Sequence, residues 1–111
     1  MVLPHGGGAF PYLWGRLQRG QKMRPEAKDA ARKPVASYLR RFHYDTITHD
    51  AGALKYLVDT VGADRVSLGS DYCFDMGYER PREIIEKGLR LSAADREKIL
   101  RGNAARLLGL R

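Results

Sequence analysis

Apolar positions along this chain fall into short blocks whose spacing changes from one block to the next. Met1-Val2-Leu3 is a brief apolar run closed by Pro4, a residue tolerated at a strand end rather than in its middle. It reads as the tail of a strand, and Gly6-Gly7-Gly8 after it reads as a loop free to take positive φ. Pro11 suits a first helical turn, and the pattern predicts one helix from there to about Gly20 and another from Pro25 to Arg40. Phe42-His43-Tyr44-Asp45-Thr46, aromatic and β-branched at its end, predicts a strand. Asp50 is placed to cap a helix whose Leu54, Leu57, Val58 and Val61 share one face, and Gly62 is placed to end it. Val66 to Ser70 predicts the next strand, followed by a loop carrying Asp71 and a helix opening near Pro81. Ser92 with Asp95 resembles a capping box; Gly102 is expected to stop that helix, and Asn103 to cap a last turn, Ala104 to Leu108.

Strand and helix thus alternate, starting from the end of a strand and including two complete ones. Such alternation marks a parallel α/β sheet, which wants cover on both faces and more strands than this. A closed (β/α)8 barrel takes roughly 250 residues. The 111 residues here therefore match the last quarter to third of such a barrel, as a single domain spanning residues 1–111. Open strand edges in that arrangement favour association.

Composition removes several classes of function. An apolar share of 43% is ordinary for a globular protein. No window approaches about 18 uncharged apolar residues, which argues against a membrane span, and the N-terminus lacks the pattern of a signal peptide. Cys73 is the sole cysteine, so no internal disulfide is expected and a cytoplasmic location is the simplest. The net charge of +7 is concentrated: nine basic residues against two acidic ones lie between Arg16 and Arg41, and the remainder balances. A basic helical face can bind phosphate backbones, but the segment lacks an aromatic RNA-binding pattern, zinc-finger spacing or a helix-turn-helix. A solvated or substrate-attracting surface is the preferred reading, with a nucleic-acid-binding module as the lesser one.

Two short stretches carry the chemistry. His5-Gly6-Gly7-Gly8 and Gly69-Ser70-Asp71-Tyr72 each put a versatile side chain where a strand gives way to a loop, which is where parallel α/β folds build their sites. Zinc favours imidazole nitrogen and carboxylate oxygen ligands, and a nearby histidine can move protons at neutral pH. Read alone, Asp71 also suits a turn or helix cap, His5 a loop mouth, and Arg16 an ordinary solvated arginine. His43 reads as a core or interface histidine, Asp45 as structural, and His49 as a residue outside the site.

The run His5-Gly6-Gly7-Gly8-Ala9-Phe10-Pro11 with Gly15-Arg16, the tract Tyr44-Asp45-Thr46 with His49-Asp50, Leu68-Gly69-Ser70-Asp71-Tyr72 with Phe74, and the ending Gly102 to Leu110 together resemble one family. It is the amidohydrolase-related family, within the amidohydrolase superfamily, typified by aminocarboxymuconate-semialdehyde decarboxylase. The resemblance covers essentially the whole chain. It implies the C-terminal portion of a (β/α)8 barrel, from the end of strand 6 through helix 8, and a site with one divalent metal, zinc by preference. Asp71 then corresponds to the metal-binding aspartate of strand 8 and shares the catalytic role with His5, the acid/base histidine of strand 6. Arg16 corresponds to an arginine that reaches a neighbouring subunit in a homodimer and clamps a substrate carboxylate, and Phe74 to a pocket residue. The implied reaction is decarboxylation of an unsaturated or aromatic carboxylic acid, with hydrolysis close behind and hydration as the alternative.

The chain departs from that family in one respect that matters. The paired histidines of the family's first strand and the histidine of its fifth have no counterpart here, and Cys73 stands where relatives commonly carry proline. A lone carboxylate beside a lone imidazole does not hold zinc tightly. The chain alone is therefore expected to be inactive, as a non-catalytic remnant or as one half of a split enzyme.

Overall fold

Val2–Leu3 (β1), His43–Asp45 (β2) and Val66–Ser67 (β3) lie side by side and parallel, in that order, in the computed structural model, which describes residues 1–110. Val2 stands opposite His43 and Leu3 opposite Tyr44; Tyr44 in turn faces Val66, and Asp45 faces Ser67. Side chains alternate along a strand, so Tyr44 and Val66 enter the apolar core while His43, Asp45 and Ser67 take the other face. The helices are Phe10–Met23 (α1), Glu26–Ala30 (α2) and Val35–Leu39 (α3) between the first two strands, and Ala51–Val61 (α4) between the second and third. Glu83–Gly88 (α5), Ala93–Glu97 (α6) and Asn103–Leu107 (α7) follow β3. None is long and apolar enough to cross a membrane.

The face of α4 read from its spacing is the one that packs: Leu54, Leu57, Val58 and Val61 join Tyr44, Val66, Ile85, Leu89 and Ile99 in one cluster. Asp50 caps α4, its Oδ1 accepting the Ala53 N–H at 2.7 Å, and Gly62 closes it at φ 92°. Ser92 Oγ accepts the Asp95 N–H at 3.0 Å, as the capping pattern implied. Tyr44 is fully enclosed, and its hydroxyl donates to the Leu39 carbonyl at 2.7 Å. That burial pushes the phenol's pKa up to about 12.

Four expectations are corrected. The strands are shorter than Phe42–Thr46 and Val66–Ser70, because loop geometry takes over at Thr46 and Leu68. The helix expected over Pro25–Arg40 is two helices, α2 and α3. Pro34 lacks an N–H and disfavours helical backbone at Lys33 before it, and the Gln21 side-chain amide donates to the freed carbonyls of Ala31 and Lys33. The basic residues between Arg16 and Arg41 are thereby spread over α1, α2 and the segments that flank α2 and α3 rather than along one face.

Gly102, finally, does not stop the last helix. α6 runs through a π-helical turn, Lys98–Gly102, directly into α7. Such a turn absorbs extra length without ending the helix. Asn103 is accordingly no cap: it is fully buried, and its amide donates to the carbonyls of Ala63 and Val66, both at 2.7 Å.

Candidate functional site

Each strand is followed, at its C-terminal end, by one non-glycine residue in the left-handed region: His5 at φ 54° after β1, His49 at φ 54° after β2, and Asp71 at φ 58° after β3. Backbone of this kind costs about 1–3 kcal/mol per residue and concentrates at functional sites. From His5 to Gly8 four successive residues have positive φ, with the Gly7 N–H bonded to Pro4 O and the Gly8 N–H to His5 O, both at 3.0 Å. A Cβ on Gly7 would lie 2.6 Å from Tyr44 Cδ1, so only glycine fits the turn over that ring.

The central strand ties down both flanking loops. The Asp45 carboxylate accepts main-chain N–H bonds from His5 at 2.9 Å and Gly6 at 2.8 Å. Thr46 Oγ1 accepts the Gly69 N–H at 3.2 Å on the other side. Beyond Gly69 the loop folds back on itself, the Tyr78 N–H donating to Ser70 O at 2.7 Å. The outcome is a pair: His5 Nε2 stands 3.4 Å from Asp71 Oδ2, with the imidazole 61% exposed and the carboxylate 23% exposed.

On its other side His5 lines a groove of about 570 Å³ with Gly6, Pro11, Tyr12, Thr48 and Tyr56, a volume in the range of small-molecule sites. The Tyr56 hydroxyl donates to the Pro11 carbonyl at 2.8 Å and pins the start of α1 against α4. The imidazole thus lies between an open groove and a carboxylate, where it can pass a proton to a molecule in the groove.

The structure does not gather the other candidates around that pair. Arg16 is exposed on α1. The Phe74 N–H donates to the Asp71 carbonyl at 3.0 Å, but its ring is 71% exposed. His43 is buried toward the opposite end of β2, its Nε2 3.4 Å from Arg65 Nη1. Burial first, and then the Arg65 charge, lower its pKa from the usual 6.5. His49 stacks on Tyr78 with centroids 4.2 Å apart and donates its main-chain N–H to the Tyr78 hydroxyl at 2.7 Å. Both line a second groove with Arg80, Glu83 and Lys87. Nothing in the residue pattern marks Tyr78 or the strained backbone at His49; a lone histidine before a cap residue carries no periodicity to read.

Imidazole nitrogen and carboxylate oxygen suit a divalent first-row metal. Among the described residues, however, no group of three or more His, Cys, Asp or Glu side chains is arranged to hold one, and Cys73 is exposed. The pair fits such an ion as part of a larger donor set, since a zinc site takes three or four protein ligands.

The parallel α/β architecture carries this pair at its strand C-termini, and the amidohydrolase family model matches residues 1–110. The chain belongs to that family. It is 40% identical over 108 residues to the 2-amino-3-carboxymuconate-6-semialdehyde decarboxylase of Dictyostelium discoideum, covering 96% of this chain and 30% of that protein. It is 36% identical over 111 residues to the enzyme of the same name from Caenorhabditis elegans, covering 99% of this chain and 28% of that one. The solved dihydroxybenzoic acid decarboxylase of Polaromonas sp. JS666, which holds manganese and the inhibitor 2-nitroresorcinol, superposes with a TM-score of 0.80 at 24% identity, covering 97% of this chain and 33% of that one. The chain therefore spans about a third or less of each of these relatives. Its fold is that of part of a (β/α)8 barrel.

Proposed function

We propose that this chain corresponds to the C-terminal third, from the end of strand 6 through helix 8, of a metal-dependent decarboxylase acting on an unsaturated or aromatic carboxylic acid. The observation that carries the reading is the 3.4 Å approach of His5 Nε2 to Asp71 Oδ2 at the strand C-termini, with both residues in left-handed backbone. The kinship with two decarboxylases of the same name supports it.

Asp71 is the residue that would hold the ion, beside His5, with the remaining ligands supplied from outside these residues. Such an ion supplies Lewis acidity and charge that stabilise a developing anion. Zinc is the metal that the family likeness implies, and manganese the one in the Polaromonas enzyme; both accept oxygen and imidazole donors. His5 does the proton chemistry. As the bond between the substrate carbon and its carboxylate breaks and carbon dioxide leaves, the electron pair stays on that carbon, and Nε2 delivers the proton that replaces the carboxylate. Phe74 packs on the substrate, and Arg16, exposed on α1, binds a substrate carboxylate across a homodimer interface through its planar fork.

The test grafts this chain into the Dictyostelium decarboxylase in place of the matching 30%. Carbon dioxide release is then followed with zinc or manganese supplied. The chimera is expected to decarboxylate in a metal-dependent way, with His5→Asn and Asp71→Asn each lowering kcat by about 10²-fold or more. Activity indifferent to both substitutions overturns the proposal. Substrate consumption without carbon dioxide release assigns the chain to the hydrolases or hydratases instead.

A further inference from the structure

Asp45 is a buried carboxylate held by main-chain donors. Its Oδ2 accepts the His5 N–H at 2.9 Å, and its Oδ1 accepts the N–H groups of Gly6 at 2.8 Å and Ile47 at 3.0 Å. Among the described residues it makes no ion pair with a cation, and it is 9% exposed. A carboxyl group this enclosed needs hydrogen-bond donors in place of the water it has lost, so their placement is informative. Two of the three belong to the turn that carries the imidazole.

That turn cannot specify its own orientation. His5 sits at φ 54°, a region a β-carbon disfavours, and the three glycines after it permit many conformations at similar cost. The internal bonds Gly7 N–H to Pro4 O and Gly8 N–H to His5 O close the turn without fastening it to the sheet. The bonds to Asp45 come from the neighbouring strand and do fasten it. We propose that Asp45 is a positioning residue, whose carboxylate holds the His5–Gly6 backbone in the left-handed turn that aims the imidazole at Asp71. The proposal rests on the reading of His5 as the proton-carrying residue.

The fork geometry makes the test selective. Asp45→Asn keeps an oxygen that can serve Gly6 and Ile47, but it sets an NH2 group against the His5 N–H. In the full 111-residue chain, followed by NMR without metal or substrate, this variant is expected to lose the nuclear Overhauser contact between the His5 ring and the Asp71 methylene. Its His5 amide is expected to exchange about tenfold faster or more, while Gly6 and Ile47 keep their protection and the Leu54 and Ile99 methyl signals stay in place. Retention of the ring contact in Asp45→Asn overturns the proposal. Should the variant not fold, exchange of the His5 amide in the unaltered chain at the rate of an unstructured peptide overturns it as well. In the grafted decarboxylase, Asp45→Asn is expected to lower kcat about tenfold or more with KM within about twofold, as loss of proton delivery without loss of binding requires. An unchanged kcat overturns the positioning role. An inactive graft whose His5–Asp71 contact still depends on Asp45 defeats the decarboxylase reading while supporting the role proposed for Asp45.

Discussion

The side-chain amide of Asn103 donates to the main-chain carbonyl of Val66 at 2.7 Å, tying α7 to the end strand of the sheet. Its second N–H goes to Ala63 O, also at 2.7 Å, and Arg106 donates to its Oδ1. One buried amide thus uses both its donors on backbone that precedes and enters β3, the strand that leads to Asp71. Asn103→Leu fills much of the same space but leaves two enclosed carbonyls without partners. Each such loss costs about 1–3 kcal/mol, so urea unfolding is expected to show a loss of about 2–5 kcal/mol. A change below about 1 kcal/mol would mean that water reaches both carbonyls.

Much of this framework was readable in advance, and the reasons are local. The apolar face of α4, the Asp50 cap and the Gly62 stop are short-range signals that one helix contains entirely. The His5 and Asp71 loops were legible because glycine-rich punctuation after an apolar run marks a strand end. What escaped were features decided across the sheet. Asn103 looked like a cap because asparagine after glycine favours one, yet a π-helical turn rotates it inward onto β3. Asp45 read as merely structural because its partners, His5 and Gly6, lie on another strand. The break at Pro34 is local, since a proline disfavours helical backbone at the residue before it.

Gly7 and Gly8 offer a comparison of strain with collision. Both have positive φ, 84° and 57°, so alanine at either position pays a backbone penalty of about 1–2 kcal/mol. A Cβ on Gly8 meets nothing within 4 Å, whereas one on Gly7 falls 2.6 Å from the Tyr44 ring. Gly7→Ala is therefore expected to destabilise by at least about 1 kcal/mol more than Gly8→Ala in denaturant titrations. Equal effects would show that the turn can lift off Tyr44 freely.

Tyr44 adds a dependence of stability on alkaline pH. Burial raises its folded pKa from 10.0 to about 12, so above pH 10 the unfolded chain gives up the phenolic proton more readily than the folded one. Stability from this group is complete below pH 10 and is lost as pH rises toward about 12, a loss of about 3 kcal/mol at full extent. Tyr44→Phe gives up the bond to Leu39 O, costing about 1 kcal/mol at neutral pH, but is expected to flatten the alkaline decline. Persistence of the same slope in that variant would assign the decline to other groups.

His43 works at the acid side. Its folded pKa is lowered from 6.5, by burial and then by the Arg65 charge, so the unfolded state takes up a proton first as pH falls. The contribution is fully present above pH 6.5 and is lost progressively as pH falls below it toward the folded value. His43→Gln is expected to remove this part of the pH dependence, leaving the lower window in which Asp64 is protonated. Burial opposes ionisation of Asp64, but the Arg40 hydrogen bond and the charges of Arg40 and Arg65 together hold its carboxyl below 3.8. Thermal melting between pH 7 and about 5 separates the two groups; an identical pH slope in His43→Gln would show that the ring takes up its proton over the same pH range in the folded and unfolded chains.

His5 and Asp71 provide two donors, and no third or fourth is arranged beside them among the described residues. Metal affinity rises steeply with the number of protein ligands, because each one added to a rigid set binds without a further loss of translational freedom. The isolated 111-residue chain is therefore expected to release zinc or manganese during gel filtration and to show no carbon dioxide release above background at millimolar metal. The same chain within the grafted decarboxylase should retain its ion. Retention by the isolated chain in one-to-one ratio, lost in Asp71→Asn, would instead mean that the loop around Asp71 supplies further ligands on binding, and that this stretch of the barrel forms a complete metal site.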